Sequence, residues 1–444
     1  MISRTPGKVR SIQDVAERHL CCGCGTCAYV QPDDVRMVDD LDEGRRPVVA
    51  AGAETTEALA ACPGVGIAHH PDEHPEGLVG ELREVWGPVL ELWEGYAADD
   101  ALRFAASSGG AASALALHCI EEEGMAGVLH IGARPDVPYL NRTIMSHSRE
   151  ELLAAAGSRY APASPCDGLG LVEEAAAPCV FIGKPCDVAG ADKARRLRPG
   201  LDARLGLTIA VFCAGTPSTA GTLEMIRQMG VDDPATVSSV RYRGNGWPGM
   251  ADVKVDGDDT VRQLTYDESW GQILQKHRQW RCQVCADHTG EMADVSVGDP
   301  WYREIPPGEP GRSLVVVRTE RGRDVVRKAI AAGTLVLEPA TPDVLVKSQP
   351  NLLRTRGAVW GRTTAMRAMG LPAPKFEHMP TFPSWRRDLD ARQRAQSLYG
   401  TAKRIVQRKL NEPKPVVPYE PSATPVAVTP RAEAPAPAPV PPPA

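Results

Sequence analysis

Twelve cysteines fall in this chain of 444 residues, and their grouping is the feature most able to do chemistry. Cys21-Cys22-Gly23-Cys24-Gly25-Thr26-Cys27 opens the folded part, Cys62-Pro63-Gly64 comes next, and Cys282-Gln283-Val284-Cys285 stands far downstream. Cys21, Cys24 and Cys27 supply three soft ligands at successive two-residue gaps, the spacing that wraps a chain around a cubane. Gly23 and Gly25 let the backbone curl closely there. The run C-x2-C-x2-C would normally be closed by a Cys-Pro four residues on. Gln31-Pro32 stands there instead, so the remote Cys62-Pro63 is expected to complete one isolated [4Fe–4S] site. Four thiolates also suit Zn²⁺, which makes a zinc-stabilised, non-enzymatic scaffold the rival reading. Cys22 leaves the register ambiguous and is read as a spare thiol beside the first group.

Cys282 and Cys285 need partners, because such a pair alone serves zinc, disulfide chemistry or nothing. Cys119 lies in an apolar helical stretch and Cys179 opens an apolar strand, where free cysteine behaves as a small hydrophobe. Cys186 follows Lys184-Pro185 just beyond a strand, and Cys213 ends another. Strand ends are where α/β folds collect functional groups. A second cluster on Cys186, Cys213, Cys282 and Cys285 is therefore expected.

Composition narrows the function classes. A net charge of −6 argues against a nucleic-acid partner, and 43% hydrophobic with 24% charged residues is ordinary for a globular protein. No apolar run is long enough for a membrane helix, and residues 1–20 lack the apolar core of a secretory signal. A cytoplasmic location is the expectation. That compartment favours metal ligation or catalysis over disulfides for the cysteines.

The elements that must position these residues alternate between helix and strand, so an α/β or α+β fold is expected. Ala111–Ile120 reads as a buried helix after Ser107-Ser108-Gly109-Gly110, and 148–156 as a second helix. Gly127–Ile131, Cys179–Gly183, Leu207–Cys213 and Leu314–Thr319 read as strands, and 323–332 as a helix. Ala251–Val255 and Val261–Leu264 predict a hairpin across Asp256–Asp259. Five segments result. They are an N-terminal cysteine module (1–80), the N-terminal part of a core (81–218), a C-terminal catalytic and cluster domain (219–370), a basic helical extension (371–412) and a tail (413–444). The tail carries twelve prolines among small residues, a composition of disorder. Residues 385–410 hold eight Lys/Arg against two Asp, with Leu398, Ile405 and Val406 giving some amphipathicity. A helix packed on its own protein is the ordinary reading, and association with a membrane surface or an acidic partner is the sharper one.

No G-x-G-x-x-G or Walker sequence opens a βα unit. Ser107–Gly110 before a helix could bind phosphate through free N–H groups. Gly157-Ser158-Arg159-Tyr160 and Arg243–Gly249 are similar turns bearing an aromatic, although core packing is the ordinary role of Trp247.

With these motifs in place, the chain resembles the family of beta subunits of coenzyme F420-reducing hydrogenase and F420-linked formate dehydrogenase. The resemblance spans roughly residues 20–370. Besides the cysteine run and Cys62-Pro63-Gly64, it rests on Trp86-Gly87-Pro88-Val89, Ser107–Ala111, Gly157–Tyr160, Gly183-Lys184-Pro185-Cys186-Asp187, Phe212-Cys213, Arg281–Asp287 and Ala293–Asp299. It implies a family-type flavin-binding core with an N-terminal ferredoxin-like iron–sulfur module, using FAD, two [4Fe–4S] clusters and coenzyme F420. A related branch, 7-hydroxymethyl chlorophyll a reductase, draws on ferredoxin. By the resemblance Ser107, Ser108, Gly109, Gly110, Gly157, Ser158 and Tyr160 map onto turns around the flavin, with Asn141, Thr143 and Ser146 nearby. It raises the two-cluster reading, while the grouping of ligands stays an inference.

Clusters pass single electrons and hydride acceptors take two, so a flavin is the natural exchange point. The implied route runs from a one-electron donor through Cys21/Cys24/Cys27/Cys62, then Cys186/Cys213/Cys282/Cys285, to FAD and substrate. His147, Asp287 and His288 are the titratable residues near matched motifs that could supply a proton. On sequence alone, reduction of a small or sugar-like organic molecule stands first. An F420-reducing or F420H₂-oxidising subunit of a larger dehydrogenase or hydrogenase stands second. Ferredoxin or coenzyme F420 is the expected redox partner, alone or with a homo-oligomer or partner subunit.

Overall fold

Strands buried on both faces need nearly continuous apolar runs, and Ser313–Val317, with every residue buried, is such a run. It belongs to an eight-stranded mixed sheet in the computed structural model, which describes residues 8–421. The strands are β1 (Glu91–Ala97), β2 (Val128–Ala133), β3 (Asn141–Ser146) and β4 (Cys179–Gly183), then β5 (Leu205–Val211), β6 (Val295–Gly298), β7 (Ser313–Val317) and β8 (Leu335–Pro339). Their order is β8-β1-β7-β6-β5-β4-β2-β3. The four central strands β2, β4, β5 and β6 run parallel, and the flanks pair antiparallel. The fold is therefore mixed α/β. Helix α1 (Ala111–Glu121) covers one face through Ala114, Leu115 and Cys119, which share a core with Val128, Val180, Ile209 and Val315. Helix α2 (Pro185–Arg195) leaves the end of β4.

Strands from both sides of residue 218 lie in this one sheet, so that boundary does not divide the core. The segment 219–290 instead adds a small antiparallel sheet of Val237–Arg241, Ala251–Val255 and Asp258–Leu264. Its hairpin turns more tightly than expected, with Val255 opposite Asp258. The cysteine module contains a hairpin, Val35–Asp40 with Gly44–Val49, where composition suggested mostly loop. Among the described residues, no distinct ferredoxin-like module stands apart from the rest.

The C-terminal extension forms helix α3 (Val359–Ala368) and, after Thr381–Arg387, helix α4 (Ala391–Gln407). Residues 413–421, assigned to the tail on composition, run as a strap. Lys414 N donates to Glu17 O (2.9 Å), Tyr419 N to Asp39 O (2.7 Å), and the Tyr419 and Tyr139 hydroxyls pair at 3.1 Å. Proline excludes helix and sheet there, but its neighbours' N–H groups still find partners. The remainder of the tail, 422–444, lies outside the described residues.

Arg318, immediately after β7, pins the motif segments together. It is fully buried and donates to Trp86 O (2.7 Å), Pro88 O (2.9 Å), Ser296 Oγ (2.8 Å) and both oxygens of Thr289. Arg318→Met should strand those acceptors and lower stability by roughly 3 kcal/mol, read by urea denaturation.

Candidate functional site

Three adjacent strands deliver functional side chains where they end. Cys186 lies three residues beyond β4, Cys213 two residues beyond β5, and Asp299 directly after β6. These are the carboxyl ends of parallel strands, where open α/β sheets form their crevices. A cleft of ≈ 310 Å³ opens there, lined among others by Ser107, Ser108, Tyr160, Lys184, Cys213 and Trp301.

One wall is the start of α1. Gly110 caps the helix with φ +76°, a conformation that costs glycine little, and no side chain bonds the first turn. Ala111, Ala112 and Ser113 line the cleft, leaving N–H groups for an anion. Ser108 Oγ meets Arg312 O at 3.0 Å, and Gly109 N donates to Ser313 Oγ (2.9 Å), so this turn is tied to β7. Ser107 Oγ accepts from Ser158 N, which joins it to the Gly157–Tyr160 turn. Gly157, Ser158 and Tyr160 also line the cleft.

Asn141, Thr143 and Ser146 lie elsewhere, along edge strand β3. Asn141 donates to Pro162 O (3.0 Å), and Thr143 Oγ1 donates to Ser164 O (3.1 Å). Ser146 Oγ pairs with His130 Nε2 at 2.8 Å. Asn141 also donates to Ala161 O (3.3 Å) and accepts from Arg159 Nε, so Asn141 and, through His130, Ser146 each touch residues of the cleft lining. His147 is exposed and bonds Ala126 O through Nδ1, away from the cleft. Asp287 is buried and accepts from the backbone of Thr289, Gly290 and Glu291, so it is occupied in holding a turn. His288 donates from Nδ1 to Cys213 O at 2.9 Å, and burial depresses its pKa to about 4.

The far wall consists of residues that sequence reading did not single out as a set. Arg243 is buried and forms a two-pronged pair with Asp299 (2.7 and 3.0 Å), which also accepts from Trp247 Nε1 at 2.7 Å. Trp301 stacks between Trp247 and Tyr266, each 5.4 Å away, and Tyr160 meets Trp270 at 4.8 Å. Such a bank offers flat faces to a planar ring. The position of Asp299 after an apolar strand was a readable signal, whereas its pairing with Arg243 joins residues 56 apart.

Beyond the cleft lie the thiols. Cys21, Cys24, Cys27 and Cys62 are buried. Burial and then the charges of Cys21, Cys24 and Cys62 hold Cys27 well above the usual thiol range; Cys62 is pushed up to about 12 by burial with Cys24 and Cys21. Gly25, at φ +91°, brings the run against the loop before Asp167, where a Cβ would lie 2.7 Å from its nitrogen. The second set adjoins it. Cys213 feels Cys282 and Cys186, and Cys285 feels Cys186 and Cys282. Cys22 stands between the two groups: Cys186 of the second and Cys24 and Cys62 of the first all act on its thiol. Among the described residues, no three His, Cys, Asp or Glu side chains converge as a single metal ion requires.

Positive charge surrounds both groups. Arg281 is 3% exposed, and its guanidinium donates to Pro63 O (3.1 Å) and Val284 O (3.4 Å), with Nε unpartnered. Burial opposes its charge, but Cys22, Cys285, Cys186 and Cys282 together favour it. Lys193 Nζ donates to Cys62 O at 3.1 Å, and Arg278 lies near Cys282 and Cys213.

Two family models match this chain. One, the coenzyme F420 hydrogenase/dehydrogenase beta subunit N-term, covers residues 92–169; the other, its C terminus, covers 178–343. The chain belongs to this beta-subunit family. It is 24% identical over 302 residues to the coenzyme F420 hydrogenase subunit beta of Methanothermobacter thermautotrophicus, covering 65% of this chain and 99% of that one. It is 23% identical over 330 residues to the coenzyme F420-dependent sulfite reductase of Methanocaldococcus jannaschii, covering 71% of this chain but 46% of the relative. In fold it is similar to a chain of the F420-reducing [NiFe] hydrogenase complex from Methanosarcina barkeri. There the TM-score is 0.51 at 22% identity, covering 65% of this chain and 98% of that one. The family models include the cleft walls and the second thiol group but stop short of Cys21–Cys62 and of the C-terminal extension.

This beta-subunit geometry sets two expected outcomes. Asp299→Asn should leave the buried Arg243 without a counter-charge and cost roughly 3–5 kcal/mol in chemical denaturation. His130 is 8% exposed, and burial lowers its pKa from 6.5 to about 4. The unfolded chain therefore binds more protons between those values, and this contribution to stability falls as pH drops through that window. His130→Asn should lose less stability than wild type between pH 6.5 and 4, measured by thermal unfolding across pH, and behave alike above pH 7.

Proposed function

We propose that this chain is an electron-transfer subunit that exchanges electrons with coenzyme F420, holding a flavin in the cleft and two iron–sulfur clusters on its two thiol groups. The reading rests on one observation above all: Cys213 lines the cleft and also belongs to the second thiol group. A cluster held there would abut a flavin in the cleft with no intervening element.

The donor sets suit these groups chemically. Arg281 is a buried cation whose hydrogen bonds among the described residues go to carbonyls, and a buried charge without a counter-charge costs several kcal/mol, of the order given for broken buried pairs. Thiolates on a cluster would supply that counter-charge, since a coordinating thiol is deprotonated outright. The free N–H groups at the start of α1 suit the pyrophosphate of FAD.

When bound, the flavin would convert two-electron hydride exchange into the single-electron traffic of clusters. The protein's own residues then have separate tasks. Ala111–Ser113 orient the phosphates, and Ser107 fixes the Gly157–Tyr160 turn. Trp301 and Tyr266 provide a surface for a planar ring, held in place by the Arg243–Asp299 pair. Arg281 and Lys193 balance the charge of the thiolates.

Sequence alone put a small or sugar-like organic acceptor first. Family membership and the relatives favour the F420-linked subunit instead. The sulfite reductase relative, about twice the length of the matched region, suggests that a module of this kind feeds electrons to a separate reductase.

Anaerobically purified protein should be brown, with flavin bands and with iron and acid-labile sulfide enough for two cubanes; F420H₂ should bleach the flavin. A colourless preparation holding zinc and no iron would overturn this reading. Cys62→Ser and Cys285→Ser should each remove about half of the iron, and Cys285→Ser should more strongly impair electron passage from the flavin.

A further inference from the structure

The C-terminal extension lies outside both family matches and carries the most one-sided charge in the chain. Between residues 391 and 410 stand Arg392, Arg394, Lys403, Arg404, Arg408 and Lys409, with no acidic residue, in a chain whose net charge is −6. Ion pairs of this region are made by Arg387 and Lys414, and among the described residues no carboxylate pairs with those six.

Helix α4 turns Ser397, Thr401 and Ile405 inward. Ile405 and Leu410 share one apolar cluster with Cys21, Cys27 and Cys62. The opposite face presents Arg392, Tyr399, Lys403 and Val406 to solvent, with Tyr399 76% and Val406 65% exposed. That face therefore lies about one helix diameter, 10–12 Å, from the first thiol group.

Three uses compete for such a face. Simple solvation gives no reason for Tyr399 and Val406 to stand seven residues apart at the centre of the cations. Membrane insertion needs an outward apolar stripe, and here the better part of the apolar side is already packed inward. Apolar anchors within a charged rim are instead the anatomy of a transient protein interface, with the charge setting partner and encounter rate.

We propose that the outer face of α4 docks a small, acidic one-electron carrier protein beside the Cys21/Cys24/Cys27/Cys62 group. This rests on the electron-transfer reading above and adds to it the port opposite the flavin. Each docking moves one electron between the carrier and the thiolate-held centre, with no bond made or broken. Oxidation of one F420H₂ thus reduces two carriers, one electron each, and releases two protons.

The test uses the full chain, a fluorescently labelled plant-type [2Fe–2S] ferredoxin as the acidic probe, and stopped-flow electron transfer between them. Arg392→Glu/Lys403→Glu/Arg408→Glu should weaken binding at low salt about tenfold or more and flatten its salt dependence. Tyr399→Ala should weaken it several-fold, and bleaching by dithionite should be unchanged. The milder glutamine triple serves if the charge reversal misfolds. Unchanged ferredoxin affinity in folded variants would overturn the proposal. So would variants that lose binding only to phosphatidylserine vesicles. Dithionite bleaching reports the cofactors independently, and anisotropy reads docking even on cofactor-free protein, so the two readings fail separately.

Discussion

Arg281 sits between two groups of thiols with carbonyl oxygens as its hydrogen-bond partners, and much of the structure around it answers that charge. It reaches back to Pro63, beside Cys62, from a short helix that also carries Cys282. A guanidinium in such a place is tolerated only if something anionic shares its surroundings. The thiols of Cys22, Cys186, Cys282 and Cys285 are the groups within its electrostatic reach. One side chain thereby links the N-terminal cysteine run, the loop after it and the downstream pair, which are separated by more than two hundred residues.

The sheet supplies the second constraint. Its four parallel strands end on one side, and the residues just past those ends build the cleft and the thiol group beside it. Lys184 and Cys186 come after β4, Cys213 after β5, and Asp299 after β6. The antiparallel flanks close the sheet and tie the Ser107–Gly110 turn to β7 through Ser313. A cleft with a helix start on one wall and stacked aromatics on the other is thus a consequence of strand direction. The insertion at 219–290 contributes Arg243 and Trp270 to it without entering the main sheet.

The extension after residue 350 belongs to the same economy of burial. Met366, Leu371, Ile405 and Leu410 complete the apolar shell in which Cys21, Cys27 and Cys62 lie. The strap at 413–421 then ties that shell to the hairpin at Asp39. A segment that composition marked as a disordered tail is ordered at its root because its free N–H groups meet carbonyl and carboxylate oxygens on the cysteine module.

What the chain's order of residues determined by itself was local or periodic. The helix after Gly110, the strand Cys179–Gly183, the hairpin around Gly257 and the spacing of Cys21, Cys24 and Cys27 could all be read directly, because 3.6- and two-residue periods and ligand gaps are properties of neighbours. Tertiary structure alone decided the rest. Cys22 comes to stand between two cysteine groups, Asp299 finds Arg243, Asn141 bonds the lining residues Ala161 and Arg159, and Thr143 spends its side chain on a neighbouring loop. His147 stays outside. Each of these depends on which strand lies beside which and on which buried charge still lacks a partner, and such pairings are settled only when distant segments pack and water is expelled from between them.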